Sequence, residues 1–172
     1  MQPQALFFTS IAFSFIAWGI VAAQIWPILS RQPRSEALRP LLTLHAFRFI
    51  GLSFLVPGVV SPDLPAGFAV PDALGDLIAA MLALLALLLL SSRPGTLMST
   101  AAVWVFNLWG SADLLDAFFQ GNRAGLAVGQ LGATYFIPTV LVPLLLITHG
   151  MMFALLLQHQ GEIAIEDNRR RA

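Results

Sequence analysis

The chain of 172 residues is 58% hydrophobic and only 10% charged, with a mean hydropathy of +0.80, whereas an ordinary soluble domain carries roughly 25% charged residues. Its nine basic residues are all arginine and are balanced by nine acids, so there is no basic surplus to hold nucleic acid. With no cysteine, disulfides, thiol nucleophiles and cysteine-ligated zinc or iron–sulfur sites are excluded.

A bilayer core about 30 Å thick takes about 20 apolar residues of helix, and five runs meet that length: 5–29, 41–60, 68–90, 100–119 and 133–157. They predict an all-α transmembrane bundle of five spans, one membrane domain over 1–172 with the lipid bilayer as its surroundings. The first run has no Lys or Arg ahead of it and is longer than the 7–15 residues of a signal-peptide core, so it reads as a retained helix. Its phenylalanines Phe7, Phe8, Phe13 and Phe15 read as lipid-facing or packing surface; the run also carries Trp18 and ends near Trp26, an aromatic suited to the headgroup level. In the second run His45 and Arg48 lie three residues apart and share a helix face.

The stretch 61–67, rich in Pro and Gly, predicts a sharp turn before the third run. That run carries Pro71 near its first turn, Asp72 close enough to the surface to be solvated, and Asp76 within the span. In the fourth run Asn107, Gly110 and Asp113 recur every three residues and form a polar stripe that Asp116 extends. Glycines 121, 125 and 129 mark an outer loop or short interfacial helix. The fifth run holds Tyr135, Pro138, Pro143 and His149, and its prolines predict kinks that free backbone carbonyls. A short cytoplasmic tail, 158–172, ends in Arg169, Arg170 and Arg171.

Arginines in short loops resist translocation. Arg31, Arg34, Arg39, Arg93 and Arg169–Arg171 fall on one side, and only Arg123 falls on the other, with Asp63 and Asp72. This bias predicts the N-terminus outside and the C-terminus in the cytoplasm.

An ionisable group in a bilayer costs about 2.5–3.5 kcal/mol on insertion scales and so requires a partner or a wet cavity. At ~1.5 Å of rise per residue, Arg48 falls a few ångströms to the inner side of the midplane, with Asp113 and Asp76 at a common level to the outer side. An Arg48–Asp113 pair that Asp76 shares or contests is the leading expected contact. Two carboxylates at one guanidinium leave a negative charge to be balanced. Arg48, Asp76, Asn107 and Asp113 are therefore the candidates for a ligand or proton path, the plain alternative being a network that holds the bundle together. His45 and His149 come to similar depths on different helices. They are candidates for a metal ion or a haem iron, with Arg48 a possible propionate partner, or else serve as interhelical glue. No dense metal motif such as H-E-x-x-H and no G-x-S-x-G elbow occurs, and no residue is assigned a catalytic role.

The stretches 68–76 (FAVPDALGD), 106–113 (FNLWGSAD) and 138–149 (PTVLVPLLLITH) together resemble a group of uncharacterised small bacterial multi-pass inner-membrane proteins. The resemblance covers the last three runs and part of the second; this chain has Pro71-Asp72-Ala73 where the group more often has Pro-Ala-Gly. It implies a bacterial inner membrane and no established activity. Three functions stay open: binding or translocation of a proton, ion or small polar solute; a bis-histidine haem or metal redox protein; and a structural subunit that meets copies of itself or a partner subunit within the membrane.

Overall fold

A computed structural model describes the backbone of residues 2–171 and the side chains of residues 2–158. Five α-helices follow in order: α1 Pro3–Leu29, α2 Arg34–His45, α3 Ala66–Ser92, α4 Leu97–Arg123 and α5 Val142–Arg171. A 3₁₀ segment, Ala46–Leu55, continues α2 without a break. A second 3₁₀ segment, Val128–Tyr135, and a π-helical turn, Ile137–Leu141, lead into α5. No β-strand occurs among the described residues, whose only pairing of that kind is an isolated bridge from Pro57 to Val60.

Local chemistry sets the helix ends. Pro3 opens α1, where its missing N–H costs nothing. Thr96 caps α4 by accepting from the Ser99 amide at 3.3 Å, and Glu36 sits in the first turn of α2, where the helix dipole favours an acid. Pro143 cannot donate a backbone bond, and the wider π turn lies just before it. The Val140 carbonyl in that turn accepts from Trp18 Nε1 at 3.1 Å.

Four segments are long and apolar enough to cross a membrane: Pro3–Leu29, Arg34–Leu55, Ala66–Ser92 and Ile137–Gln158. The second therefore begins about two turns earlier than the run at 41–60 and ends sooner. Its start lies among Arg34, Glu36 and Arg39, which a search for uninterrupted apolar residues passes over. The last likewise begins after 133, because Gly132 breaks the helix with φ 53°. α4 matches α1 and α3 at 27 residues but is not one of the four, and it carries Asn107, Ser111, Asp113 and Asp116. Of the tail at 158–172, the side chains beyond Gln158, including Arg169, Arg170 and Arg171, lie outside the described residues.

α3 is the central element, packed against the 3₁₀ segment, α4 and α2, while α1 lies on the flank against α5. The inward face of α3 is rich in alanine, with Ala69, Ala73, Ala79, Ala80, Ala83 and Ala86 buried. Small side chains bring backbones close and gain dispersion contacts, the main attraction between helices in lipid. Two apolar clusters result. One joins Leu38, Leu42, Ala83, Ala86, Val103, Phe106, Met152 and Leu156; the other joins Phe54, Phe68, Ala73, Leu114, Val142 and Leu145. Between these clusters each of the four inner segments carries one or two polar side chains: His45 and Arg48, Asp76, Asn107 and Asp113, and His149. A polar layer thus divides the core.

At one end the 56–65 turn is tied to the second 3₁₀ segment. Ala133 N donates to Val59 O at 2.8 Å, Ser61 N to Gln130 O at 3.0 Å, and Gln130 Nε2 to Asp63 O at 2.9 Å.

Candidate functional site

Arg48 owes its position to the narrow winding of the 3₁₀ segment, which repeats every three residues. His45, Arg48, Gly51 and Phe54 therefore stack in one row, and all four are buried. Arg48 is 2% exposed, and its guanidinium uses all three nitrogens. Nε and Nη2 reach Asp76 Oδ1 at 2.8 and 2.7 Å, Nη2 also meets Asp113 Oδ2 at 2.5 Å, and Nη1 donates to the Gly110 carbonyl at 3.0 Å. The fork thus joins α3 and α4 to the 3₁₀ segment, with Asp76 and Asp113 sharing the one cation.

Three glycines make room for these side chains. A Cβ on Gly51 would fall on Asp76 Oδ2, and one on Gly75 on Asp113 Oδ1. A Cβ on Gly110 would lie 2.6 Å from His149 Cε1, 2.8 Å from its Nε2 and 2.9 Å from Arg48 Nη1. The glycine at the centre of the α4 polar stripe is thus a socket for two side chains, from α5 and from the 3₁₀ segment.

The histidines form the other half of the layer, their ring centroids 4.2 Å apart and their planes tilted by 53°. Thr148 Oγ1 donates to the Leu144 and Leu145 carbonyls, each at 3.0 Å, so its lone pair accepts from His45 Nε2 at 2.9 Å. Asn107 Nδ2 donates to the His149 carbonyl at 3.3 Å, so Asn107 Oδ1 accepts from His149 Nδ1 at 2.6 Å. These partners assign the tautomers. His45 Nδ1 and His149 Nε2 remain buried without a hydrogen-bond partner, and Phe106 packs against both rings.

This packing does not fit a haem between the two imidazoles. With iron–nitrogen bonds of ~2 Å on either side of a porphyrin, the ring centroids would stand ~6 Å apart, and here they are in direct contact. Nor do three or more His, Cys, Asp or Glu side chains converge as a metal set among the described residues.

All six residues singled out in the sequence, Arg48, Asp76, Asn107, Asp113, His45 and His149, meet in this layer. Two further participants lacked so clear a signal. Thr148 partners His45, and its place directly before His149 was the available hint. Asp72 is not simply solvated: it is half-buried and lines a cavity of about 340 Å³ that Asp76 also lines. Its spacing of four residues from Asp76 puts both acids on one face of α3. Phe7 and Phe8, read from sequence as lipid-facing or packing surface, line the same cavity.

The fold and site define a helical bundle with an ionic layer that meets a cavity at Asp76. The chain belongs to the family described as Domain of unknown function (DUF8737), whose model matches residues 6–157. No curated protein and no solved structure matches it.

Proposed function

We propose that this chain is a multi-pass protein of a bacterial inner membrane, with five spans, the N-terminus outside and the C-terminus in the cytoplasm, and that its polar layer binds or translocates a proton, an ion or a small polar solute. Four apolar segments support the membrane assignment, and α4 supplies a fifth span because Asn107 and Asp113 are paired inside the bundle rather than turned to lipid. The arginine bias supports the orientation. The resemblance of stretches 68–76, 106–113 and 138–149 to small bacterial inner-membrane proteins supports the location.

The observation that carries the functional reading is the cavity reaching Asp76, itself paired with Arg48. A network serving only to hold helices together has no need of a route to it. The test is proton flux into pyranine-loaded proteoliposomes under an imposed potential, run beside a thermal-shift screen of small charged and neutral solutes. Wild type should exceed empty vesicles or be stabilised by a solute, and Asp113→Asn should abolish that effect while eluting as a monodisperse protein. A wild type inert in both assays refutes the reading.

A second reading, as a subunit of a homo-oligomer or of a larger membrane complex, draws on α1. Leu29 is its sole buried residue, and Phe13, Ile16 and Ile20 face outward. That surface suits acyl chains or a second helix equally.

A further inference from the structure

The cavity lies where the start of α1, the start of α3 and the end of α4 come together beneath the second 3₁₀ segment. At about 340 Å³ it falls at the small end of ligand sites, which run from roughly 300 to 1,000 Å³. Phe7, Phe8, Phe54, Phe68 and Phe118 wall it from four different segments, and Phe54 and Phe68 meet edge to face at 5.6 Å. Among the described residues, Asp72 and Asp76 are its only charged lining residues.

Charge in and beside this space does not balance. Three carboxylates stand against one guanidinium: Asp76 and Asp113 contact Arg48, and Asp72 lines the cavity one turn from Asp76. Arg48 engages Asp76 through Oδ1 and Asp113 through Oδ2. No protein donor among the described residues reaches Asp76 Oδ2 or either oxygen of Asp72. The other arginine at this end, Arg123, stands 5.7 Å over the Phe119 ring and is not part of the lining.

We propose that the cavity binds a small organic cation with an apolar body, an alkyl- or arylammonium, its charge held at Asp72 and the unengaged oxygen of Asp76 and its body walled by the phenylalanines. An anion would meet two carboxylates and no cation in the wall. An acyl chain would cover those carboxylates without compensating them, a costly arrangement away from water. An ammonium with an apolar substituent meets both demands: it answers the surplus charge at short range and rests against aromatic faces, whose quadrupoles attract cations. The inference rests on the solute-binding reading above and names the class of solute.

The test uses the full chain in lipid nanodiscs and isothermal titration with three probes of similar shape: benzyltrimethylammonium, the neutral 2,2-dimethyl-3-phenylpropan-1-ol and phenylmethanesulfonate. The ammonium should bind at least about tenfold more tightly than the alcohol, and the sulfonate should not bind. Asp72→Asn should weaken the ammonium about tenfold and leave the alcohol unchanged. Asp72 makes no hydrogen bond that its replacement would break, and the wild-type ranking stands even if the variant does not fold. Equal binding of ammonium and alcohol, as when protons already neutralise the carboxylates, overturns the cation assignment while leaving a solute site in place. Preference for the sulfonate does the same. Absence of binding by all three overturns the cation assignment, and the solute-binding reading falls with it only if the flux and thermal-shift assays are also inert.

Discussion

Replacing Arg48 by methionine removes one buried cation and leaves two carboxylates facing each other. The guanidinium makes contacts at 2.8 and 2.7 Å to Asp76, 2.5 Å to Asp113 and 3.0 Å to the Gly110 carbonyl, and it is 2% exposed. Breaking a buried ion pair from one side costs about 3–5 kcal/mol, because the surviving charge has lost both water and partner. For a soluble domain of similar size that corresponds to a fall of roughly 6–20 °C in melting temperature. The four tryptophans allow unfolding to be followed by intrinsic fluorescence, thermally and in SDS mixed micelles. The triple variant Arg48→Met/Asp76→Asn/Asp113→Asn should recover all but about 1–2 kcal/mol, since no charge is then stranded. Arg48→Lys should fall between, because an ammonium does not reproduce a planar fork that spans three acceptors on two helices. A single methionine variant within about 1 kcal/mol of wild type, or a triple variant no better than the single, would refute the account of the layer as mutually compensating charges.

Two glycines that differ in surroundings give paired expectations. Gly110→Ala should destabilise by about 1–3 kcal/mol through overpacking against His149 and Arg48, whereas Gly150→Ala, with nothing within 4 Å of its Cβ, should be neutral or gain up to about 1 kcal/mol of helix propensity; the same fluorescence titration compares them. Gly132→Ala combines a positive φ of 53° with a Cβ that would strike the Val59 carbonyl, so it should loosen the tie between the 56–65 turn and the second 3₁₀ segment. Hydrogen exchange at the Ala133 amide, which donates to that carbonyl, should quicken by at least about tenfold, and unchanged protection would count against the described turn.

Much of the layer was legible because charge is scarce in this chain. Every ionisable residue within an apolar run needs a partner, and rise-per-residue arithmetic sufficed to bring Arg48, Asp76 and Asp113 to adjacent levels and His45 and His149 to another. The 3₁₀ winding of Ala46–Leu55 was not legible: Phe47, Phe49, Ile50 and Leu52 supply apolar residues enough for either winding, and the choice between them rests on tertiary contacts with α3. The cavity was hidden for a related reason. Phe7, Phe68 and Phe118 are unremarkable within their own helices and acquire a common role only when three helix ends meet. Asp72, near the start of its run, looked solvated because sequence position reports depth along a helix and says little about the direction a side chain faces.

The second apolar segment, Arg34–Leu55, also solves a problem of length. Its 12 α-helical and 10 3₁₀ residues rise ~18 and ~20 Å, so 22 residues extend ~38 Å, close to the ~40 Å that α1 and α3 cover with 27 each. Wound wholly as α-helix, the same stretch would reach only ~33 Å, ~7 Å less than its neighbours cover. Narrow winding thus matches a shorter segment to the thickness of the bundle, and any relaxation toward the wider turn would draw the Phe54 end inward and displace the wall it gives the cavity.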